Sequence, residues 1–295
     1  MTEIFGIPTQ ALFGQLLIGL INGSFYALLS LGLAVIFGLL NIINFTHGAQ
    51  YMLGAFCAYL MLNKLGIGYW WALLIAPIVV GIFGMIIERL MLKQLYKLDH
   101  LYGLLLTFGL ALIIQGLFRN EFGSSGQPYP IAAELGGGRN LGFMFLPIYR
   151  GWVIVASLVV CLGTWFVIEK TKLGSYLRAA TENPELVQAF GINVPRMITL
   201  TYGFGVALAA FAGVMAAPIY QVSPQMGADL IIVVFAVVVI GGMGSILGSV
   251  ITGFGLGIIE GLTKVFYPEA SNTVIFIIMA IVLLIRPAGL FGTQK

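Results

Sequence analysis

The sequence predicts an all-α, polytopic membrane protein, and three observations carry that prediction. Only 8% of its residues are charged while 60% are hydrophobic, whereas a soluble chain carries about a quarter charged residues. Its 14 Lys and Arg, 11 Asp and Glu and 2 His are too few for the polar skin that a water-soluble body of this size needs. No Asp, Glu, Lys or Arg lies between Glu3 and Lys64. As helix that stretch would run roughly 90 Å, several times the thickness of the hydrocarbon core. Composition therefore excludes a soluble enzyme or a nucleic-acid binder. A lipid-facing β-barrel is excluded too, because the apolar runs are continuous and lack two-residue alternation.

Taken in order, the apolar runs cover residues 11–40, 46–63, 69–87, 101–118, 152–168, 197–217, 230–262 and 274–285. A simple span needs about 20 residues, so the first and seventh are too long. Each is a tilted helix, a broken helix or two short helices joined in the membrane, and the expected count is eight to ten, with some segments broken or re-entrant. Ten of the eleven prolines fall between runs or at their ends, where a lost N–H is tolerated. Pro77 falls mid-run and predicts a kink. The N-terminus carries Glu3 and no basic residue before its apolar run, so that run reads as retained rather than as a cleaved signal. Cys57 and Cys161 lie inside apolar runs and read as small packing residues. The whole of 1–295 reads as one transmembrane domain. Basic residues set its orientation: Arg89, Lys93, Lys97, Lys170, Lys172, Arg178, Arg196, Arg286 and Lys295 fall in loops expected to be cytoplasmic, with the C-terminus inside. Lys64, Arg119, Arg139, Arg150 and Lys264 fall in the opposite loops.

The segment 172–196 is polar yet written as helix. Asn183 can cap, Pro184 fits the first helical position, Glu185 complements the positive helix end and Gly191 suits a left-handed residue after the last turn. It reads either as a connector resting on headgroups or as a docking element. Leu186, Val187 and Phe190, three and four apart, are expected to share one face. Glycine and alanine recur every four residues at Gly205, Ala209, Gly213 and Ala217, and at Gly253, Gly257 and Gly261, which predicts close helix approach. Gly241, Gly242, Gly244 and Ser245 predict a broken helix lining a cavity; no Lys-Ser/Thr follows, so a phosphate loop is excluded.

Polar residues gather at Asn41, Asn44, Thr46, His47 and Gln50, with Asn22, Ser24 and Tyr26 upstream. They read either as a solute pathway or as an interfacial helix-loop-helix in which Asn44 or Thr46 caps. His47 has no partner pattern for a metal. Asp229 reads as a cap or helix-dipole partner. Glu260 and Lys264 read as a local ion pair. No nucleophile elbow, paired carboxylates or Walker-type lysine is present, so catalytic residues are not expected, nor a cofactor bound by this chain. Three hypotheses follow: a permease driven by a docked ATPase, a secondary transporter or channel, and an embedded assembly subunit. A secondary transporter would carry acidic or histidine relays within its spans. Their scarcity and the 172–196 helix favour the first.

The segments Asn22-Gly23-Ser24-Phe25-Tyr26-Ala27-Leu28, Ile43-Asn44-Phe45-Thr46-His47-Gly48, Tyr51-Met52-Leu53-Gly54 and Ile87-Glu88-Arg89 resemble the H-type permease of branched-chain amino acid ABC importers. So do Arg178-Ala179-Ala180, Ala189-Phe190-Gly191-Ile192-Asn193, Gly241-Gly242-Met243-Gly244-Ser245 and the tail Arg286-Pro287-Ala288-Gly289-Leu290-Phe291-Gly292. Where the family often has an acidic residue after His47-Gly48, this chain has Ala49. The resemblance implies an inner-membrane protein, a second homologous permease, two cytoplasmic ATPase subunits that use ATP and Mg, and a periplasmic solute-binding protein. It assigns ATPase docking to Arg178, Ala179, Ala180, Glu182, Asn183, Pro184, Glu185, Leu186, Val187, Ala189, Phe190 and Gly191. Leucine, isoleucine and valine are the implied solutes, with short amides or urea carried by relatives.

Overall fold

The computed structural model describes residues 3–4, 7–40, 43–96, 98–142 and 144–292; Asn41, Lys97 and Lys295 lie outside them. Among the described residues eleven α-helices follow one another: α1 (Thr9–Leu40), α2 (Thr46–Leu65), α3 (Tyr69–Leu90), α4 (His100–Phe122), α5 (Ile148–Lys170), α6 (Lys172–Glu182), α7 (Pro184–Ala189), α8 (Val194–Tyr220), α9 (Met226–Gly241), α10 (Ile246–Phe266) and α11 (Val274–Ile285). Two short antiparallel hairpins complete the chain. In one, β1 (Glu3–Ile4) and β2 (Ile7–Pro8) pair Glu3 with Pro8, and in the other β3 (Gly138–Asn140) and β4 (Phe145–Pro147) pair Arg139 with Leu146.

Helices α1, α3, α4, α5, α8 and α10 are long and apolar enough to cross a membrane, and α9 and α11 are apolar but shorter. Helix α2 has 20 residues, and its His47, Gln50, Asn63 and Lys64 lower its hydropathy. Adding α9 and α11 to the six gives eight and adding α2 gives nine, within the expected eight to ten. The 11–40 run is one unbroken helix of 32 residues, about 48 Å long at 1.5 Å per residue. The 230–262 run divides into α9 and α10. Helix α3 continues through Pro77.

Helix α1 is the centre of the bundle, packing on α10, α8, α9 and α5. It runs antiparallel to α10 along a glycine seam: Gly19 faces Gly257 and Gly261, Gly23 faces Gly253 and Phe254, and Gly38 faces Gly244. A Cβ at Gly253 would lie 2.6 Å from Ala27 Cα, so the two backbones touch with no side chain between them. The Gly205 to Ala217 repeat works the same way on two neighbours, Gly205 against Gly32 of α1 and Gly213 against Tyr51 and Ala55 of α2.

After α1 the chain re-enters the bundle. His47 at the start of α2 lies against Leu29 and Gly32, about 12 Å short of the α1 end at Leu40 by helix rise. Residues 43–45 are therefore non-helical backbone inside protein. Such backbone is tolerated at membrane depth only when its polar groups are satisfied internally. Thr107 of α4 does this: Phe45 N–H donates to its hydroxyl at 3.2 Å, and the hydroxyl lies 3.2 Å from Ile43 O.

The basic residues separate by end. Arg89, Lys93 and Arg196 line one cavity, Arg178 lines another beside Gly38 and Gly244, and the tail after Arg286 bonds the end of α9. The connections that carry Lys64, Arg139 and Lys264 lie at the other end. Cys57 and Cys161 are free thiols, Cys161 fully buried.

The glycine seam makes a direct prediction. Gly257→Leu should destabilise the folded chain by about 1–3 kcal/mol through overpacking, whereas Gly255→Leu, with open space at its Cβ, should be close to neutral. Unfolding midpoints of the two variants in mild detergent check this.

Candidate functional site

The upstream polar residues divide. Asn22 and Tyr26 line a cavity of about 390 Å³ together with Tyr51, Tyr220, Ser223 and Asp229, where α1, α2, α8 and α9 meet. Glu260 of α10 organises its wall. Tyr26 Oη donates to Glu260 Oε2 at 2.6 Å, Asn22 Nδ2 donates to Oε1 at 3.3 Å, and Lys264 Nζ lies 2.5 Å from Oε1. Tyr220 Oη donates to Asn22 Oδ1 at 2.6 Å. Glu260 is 6% exposed, and a carboxyl buried to that degree needs the cation and two donors that meet it here. The ion pair read from the sequence is present, and it also anchors a polar cluster drawn from three helices, α1, α8 and α10. The mouth is open: Tyr220 is 47% exposed and Asp229 is exposed. Asp229 stands in the first turn of α9, where a carboxylate complements the helix dipole, and does not cap by its side chain. Ser24 faces elsewhere, its buried hydroxyl donating to Leu20 O of its own helix at 2.8 Å.

The second cluster is packed solid. Asn44, Thr46, His47 and Gln50 are all 0% exposed. Asn44 Nδ2 and Gln50 Nε2 both donate to Tyr202 Oη, at 3.1 and 3.4 Å, and Thr46 Oγ1 donates to Asn44 Oδ1 at 2.6 Å. His47 Nε2 lies 3.0 Å from Leu29 O; a carbonyl can only accept, so Nε2 carries the proton. The capping reading is corrected: neither Asn44 nor Thr46 caps α2, which has no side-chain cap bond. Their side chains instead join Gln50 and Tyr202 beside the re-entrant backbone. Ala49, next in line, borders an apolar cavity of about 250 Å³ with Phe45, Met52, Phe108 and Ile231.

The glycine break is real but is placed differently from expectation. Gly242 and Gly244 have φ of 99° and 84°, which glycine adopts without strain, and Ser245 Oγ accepts Gly248 N–H at 3.1 Å as the cap of α10. This is the turn of a helical hairpin at the end of the bundle that carries Arg178. Leu290 N–H and Phe291 N–H cover it by donating to Ile240 O and Gly241 O at 2.8 and 3.2 Å. Gly244 borders a small cavity of about 110 Å³ with Gly38, Glu169, Arg178 and Thr181.

Residues 172–196 fold as α6 and α7. Asn183 Oδ1 accepts Leu186 N–H at 2.9 Å, Glu185 stands in the first turn, and Gly191 closes the helix with φ 83°. The expected helical face is corrected. Val187 is buried with Ala180 and Val194, while Leu186 and Phe190 are 54% and 77% exposed. Phe190 is the C-cap, one residue past the helix. Arg178 lies 3.3 Å from Glu169, an exposed pair. Behind this segment Glu88, buried in α3, accepts from Tyr96 Oη at 2.5 Å and Thr199 Oγ1 at 2.6 Å. Burial, then the Glu88 carboxylate, pushes the Tyr96 hydroxyl well above the usual phenol range, so it stays protonated and donating.

Tyr51, Tyr220 and the role of Glu260 were missed by sequence reasoning. The available signal was that Asp229 and Glu260 are the only acidic residues between Glu185 and Glu269. Among the described residues no three His, Cys, Asp or Glu side chains converge as a metal site would require.

A multi-pass helical bundle with an open polar cavity at one end and a polar helical hairpin at the other defines a membrane permease. Residues 15–283 match the family model described as branched-chain amino acid transport system, permease component, and the chain belongs to that family. It is 31% identical over its full length to the high-affinity branched-chain amino acid transport system permease protein LivH of Escherichia coli K12, covering 99% of that protein. It is 30% identical to the corresponding permease BraD of Pseudomonas aeruginosa, covering 95% of this chain and 96% of that one. It is also 30% identical to the probable branched-chain amino acid transport permease LivH of Methanocaldococcus jannaschii, covering 93% and 91%. No solved structure matches. The family is one of transport permeases rather than enzymes, and a permease component belongs to a larger transport system.

The two polar clusters should separate by labelling. With Cys57 and Cys161 replaced, a cysteine at half-exposed Asn22 should react with a water-soluble thiol reagent, and one at buried Asn44 should be protected. Mass shift after timed labelling of membranes measures both.

Proposed function

We propose that this chain is the permease subunit of an ABC importer for leucine, isoleucine and valine. Its full-length membership in the branched-chain amino acid permease family is the observation that carries this reading. In it, a periplasmic binding protein delivers the solute at the Asn22 and Tyr220 end, a second homologous permease completes the path, and two cytoplasmic ATPase subunits dock at α6 and α7. The protein lies in the inner membrane with its C-terminus in the cytoplasm, as the positive-inside rule favours for the end carrying Arg89, Lys170, Arg178 and Arg196.

The outer cavity is the proposed solute path, half of it supplied by this chain. Asn22, Tyr26, Tyr220 and Asp229 offer amide, hydroxyl and carboxylate groups suited to a zwitterion. Phe25, Leu230 and Val233 on the same wall suit a branched aliphatic side chain. A partner permease seated over the exposed side would enclose it. Gly241, Gly242, Gly244 and Ser245 sit at the opposite end and serve the path as a gate hinge, next to the docking segment, rather than as its lining.

Coupling rests on a preformed helix. At six residues α7 is far below the length at which an isolated helix is stable in water. Its Asn183 and Gly191 caps and its buried Val187 hold it ready, so docking costs less ordering entropy than it would for an unstructured loop. The groups offered to the ATPase are Leu186 and Phe190, with Arg178, Glu182 and Glu185 at the rim. Removing a central aromatic anchor costs about 2 kcal/mol or more, roughly 30-fold in affinity. Phe190→Asp should therefore lose copurifying ATPase and solute uptake while the unfolding midpoint stays unchanged. Val187→Asp, which buries a charge, should lower that midpoint as well. Wild-type copurification and uptake by Phe190→Asp would make α6 and α7 a connector resting on headgroups.

A further inference from the structure

We propose that the cleft between α3 and α8 at the docking end binds the headgroup of an acidic phospholipid, with Arg89, Lys93 and Arg196 on its phosphate. The cleft has a volume of about 590 Å³. Its cations come from two chain-distant stretches, Arg89 and Lys93 at and just past the end of α3, and Arg196 in the first turn of α8. The positive-inside rule explains why basic residues populate this end. It does not require three of them to converge on one concave surface.

The charges there are uncompensated. Among the described residues the ion pairs are Arg178 with Glu169 and Lys264 with Glu260, and neither involves this cleft. Glu88, next to Arg89 in the chain, is 1% exposed, and its two oxygens are occupied by Tyr96 and Thr199. The start of α8 adds a positive helix end to the same cleft. The ligand is thus an anion.

The walls identify it further. Ile82, Ile86 and Leu200 line the cleft and are 48%, 49% and 57% exposed. They lie on two apolar spans, Ile82 and Ile86 one helical turn apart on α3, and lead from the cations toward the hydrocarbon. A soluble anion has no use for that surface. An acyl chain does, and basic pockets between spans on the cytoplasmic side suit acidic lipid headgroups. A docked protein would meet the cations but would not cover apolar residues that face lipid.

The test uses the full chain in neutral detergent, with phosphatidylglycerol, phosphatidylcholine and inorganic phosphate as probes and binding read by native mass spectrometry. Each interfacial Lys or Arg adds about fivefold to acidic-lipid affinity, so Arg89→Gln with Arg196→Gln should cut phosphatidylglycerol binding roughly 30-fold. Phosphatidylcholine binding should not change, and Arg89→Lys with Arg196→Lys should retain the preference. Lys64→Gln with Arg139→Gln, exposed at the other end, should have no effect. Unfolding midpoints confirm that each variant folds. Equal loss in the two glutamine pairs, no preference for phosphatidylglycerol, or full competition by millimolar phosphate would each overturn the proposal. The last of these would assign a free-anion site. Unchanged lipid binding with loss of copurifying ATPase would also overturn it and assign the cleft to a protein partner. Failure of the transport reading would leave this result untouched, since it depends only on the two spans and their cations.

Discussion

The backbone contact between α1 and α10 is the constraint on which the rest of the molecule depends. Two helices approach this closely only where side chains are absent, and glycine supplies that absence at Gly19, Gly23, Gly253, Gly257 and Gly261. Lipid tails are as apolar as leucine, so burial from water does not drive helices together within the bilayer. Close packing and internal hydrogen bonds must do so instead. With α1 drawn against α10, its other faces receive α8, α9 and α5. The same seam brings Asn22 and Tyr26 within hydrogen-bonding reach of Glu260.

A second constraint is that no polar group inside the bundle can rely on solvent. It explains why the two polar clusters, so similar in sequence, behave differently. At Glu260 the carboxylate is satisfied by Lys264, Tyr26 and Asn22, and the remaining polar groups of that cluster face an open cavity. At 44–50 the polar side chains bond one another, Tyr202 and Leu29 O of α1, while Thr107 ties down the re-entrant backbone beside them. Expensive polar residues in a membrane span mark either a path or an irregular backbone. Here one cluster borders an open cavity and the other lies beside an irregular backbone.

The end of the bundle at Gly38 and Gly244 combines rigidity with access. The hairpin turn of α9 and α10, the C-terminal tail across it and α6 lie together there, and α7 packs on α6 and α8. Val187 anchors α7 to the bundle while Phe190 stays exposed. A force applied to α7 therefore reaches the end of α1 through packed neighbours.

By itself the sequence determined the all-α membrane class, the helical runs, the caps of α7 at Asn183 and Gly191, and the Glu260 to Lys264 pair. Each is a local matter of hydropathy, capping chemistry or a spacing of four residues. The family was legible as well, because its motifs recur in order along the chain. Tertiary structure alone decided that Ser24 faces its own helix, that Val187 points inward, that the 241–248 glycines form an end turn, and that Asn44 and Gln50 meet Tyr202 beside a re-entrant segment. It also decided that Tyr51, Tyr220 and Asp229 join Asn22 and Tyr26. Periodicity specifies which residues share a helix face, but which neighbour covers that face is set by contacts between residues far apart in the chain. Tyr26 and Glu260, separated by 234 positions, meet only because glycines let two backbones touch.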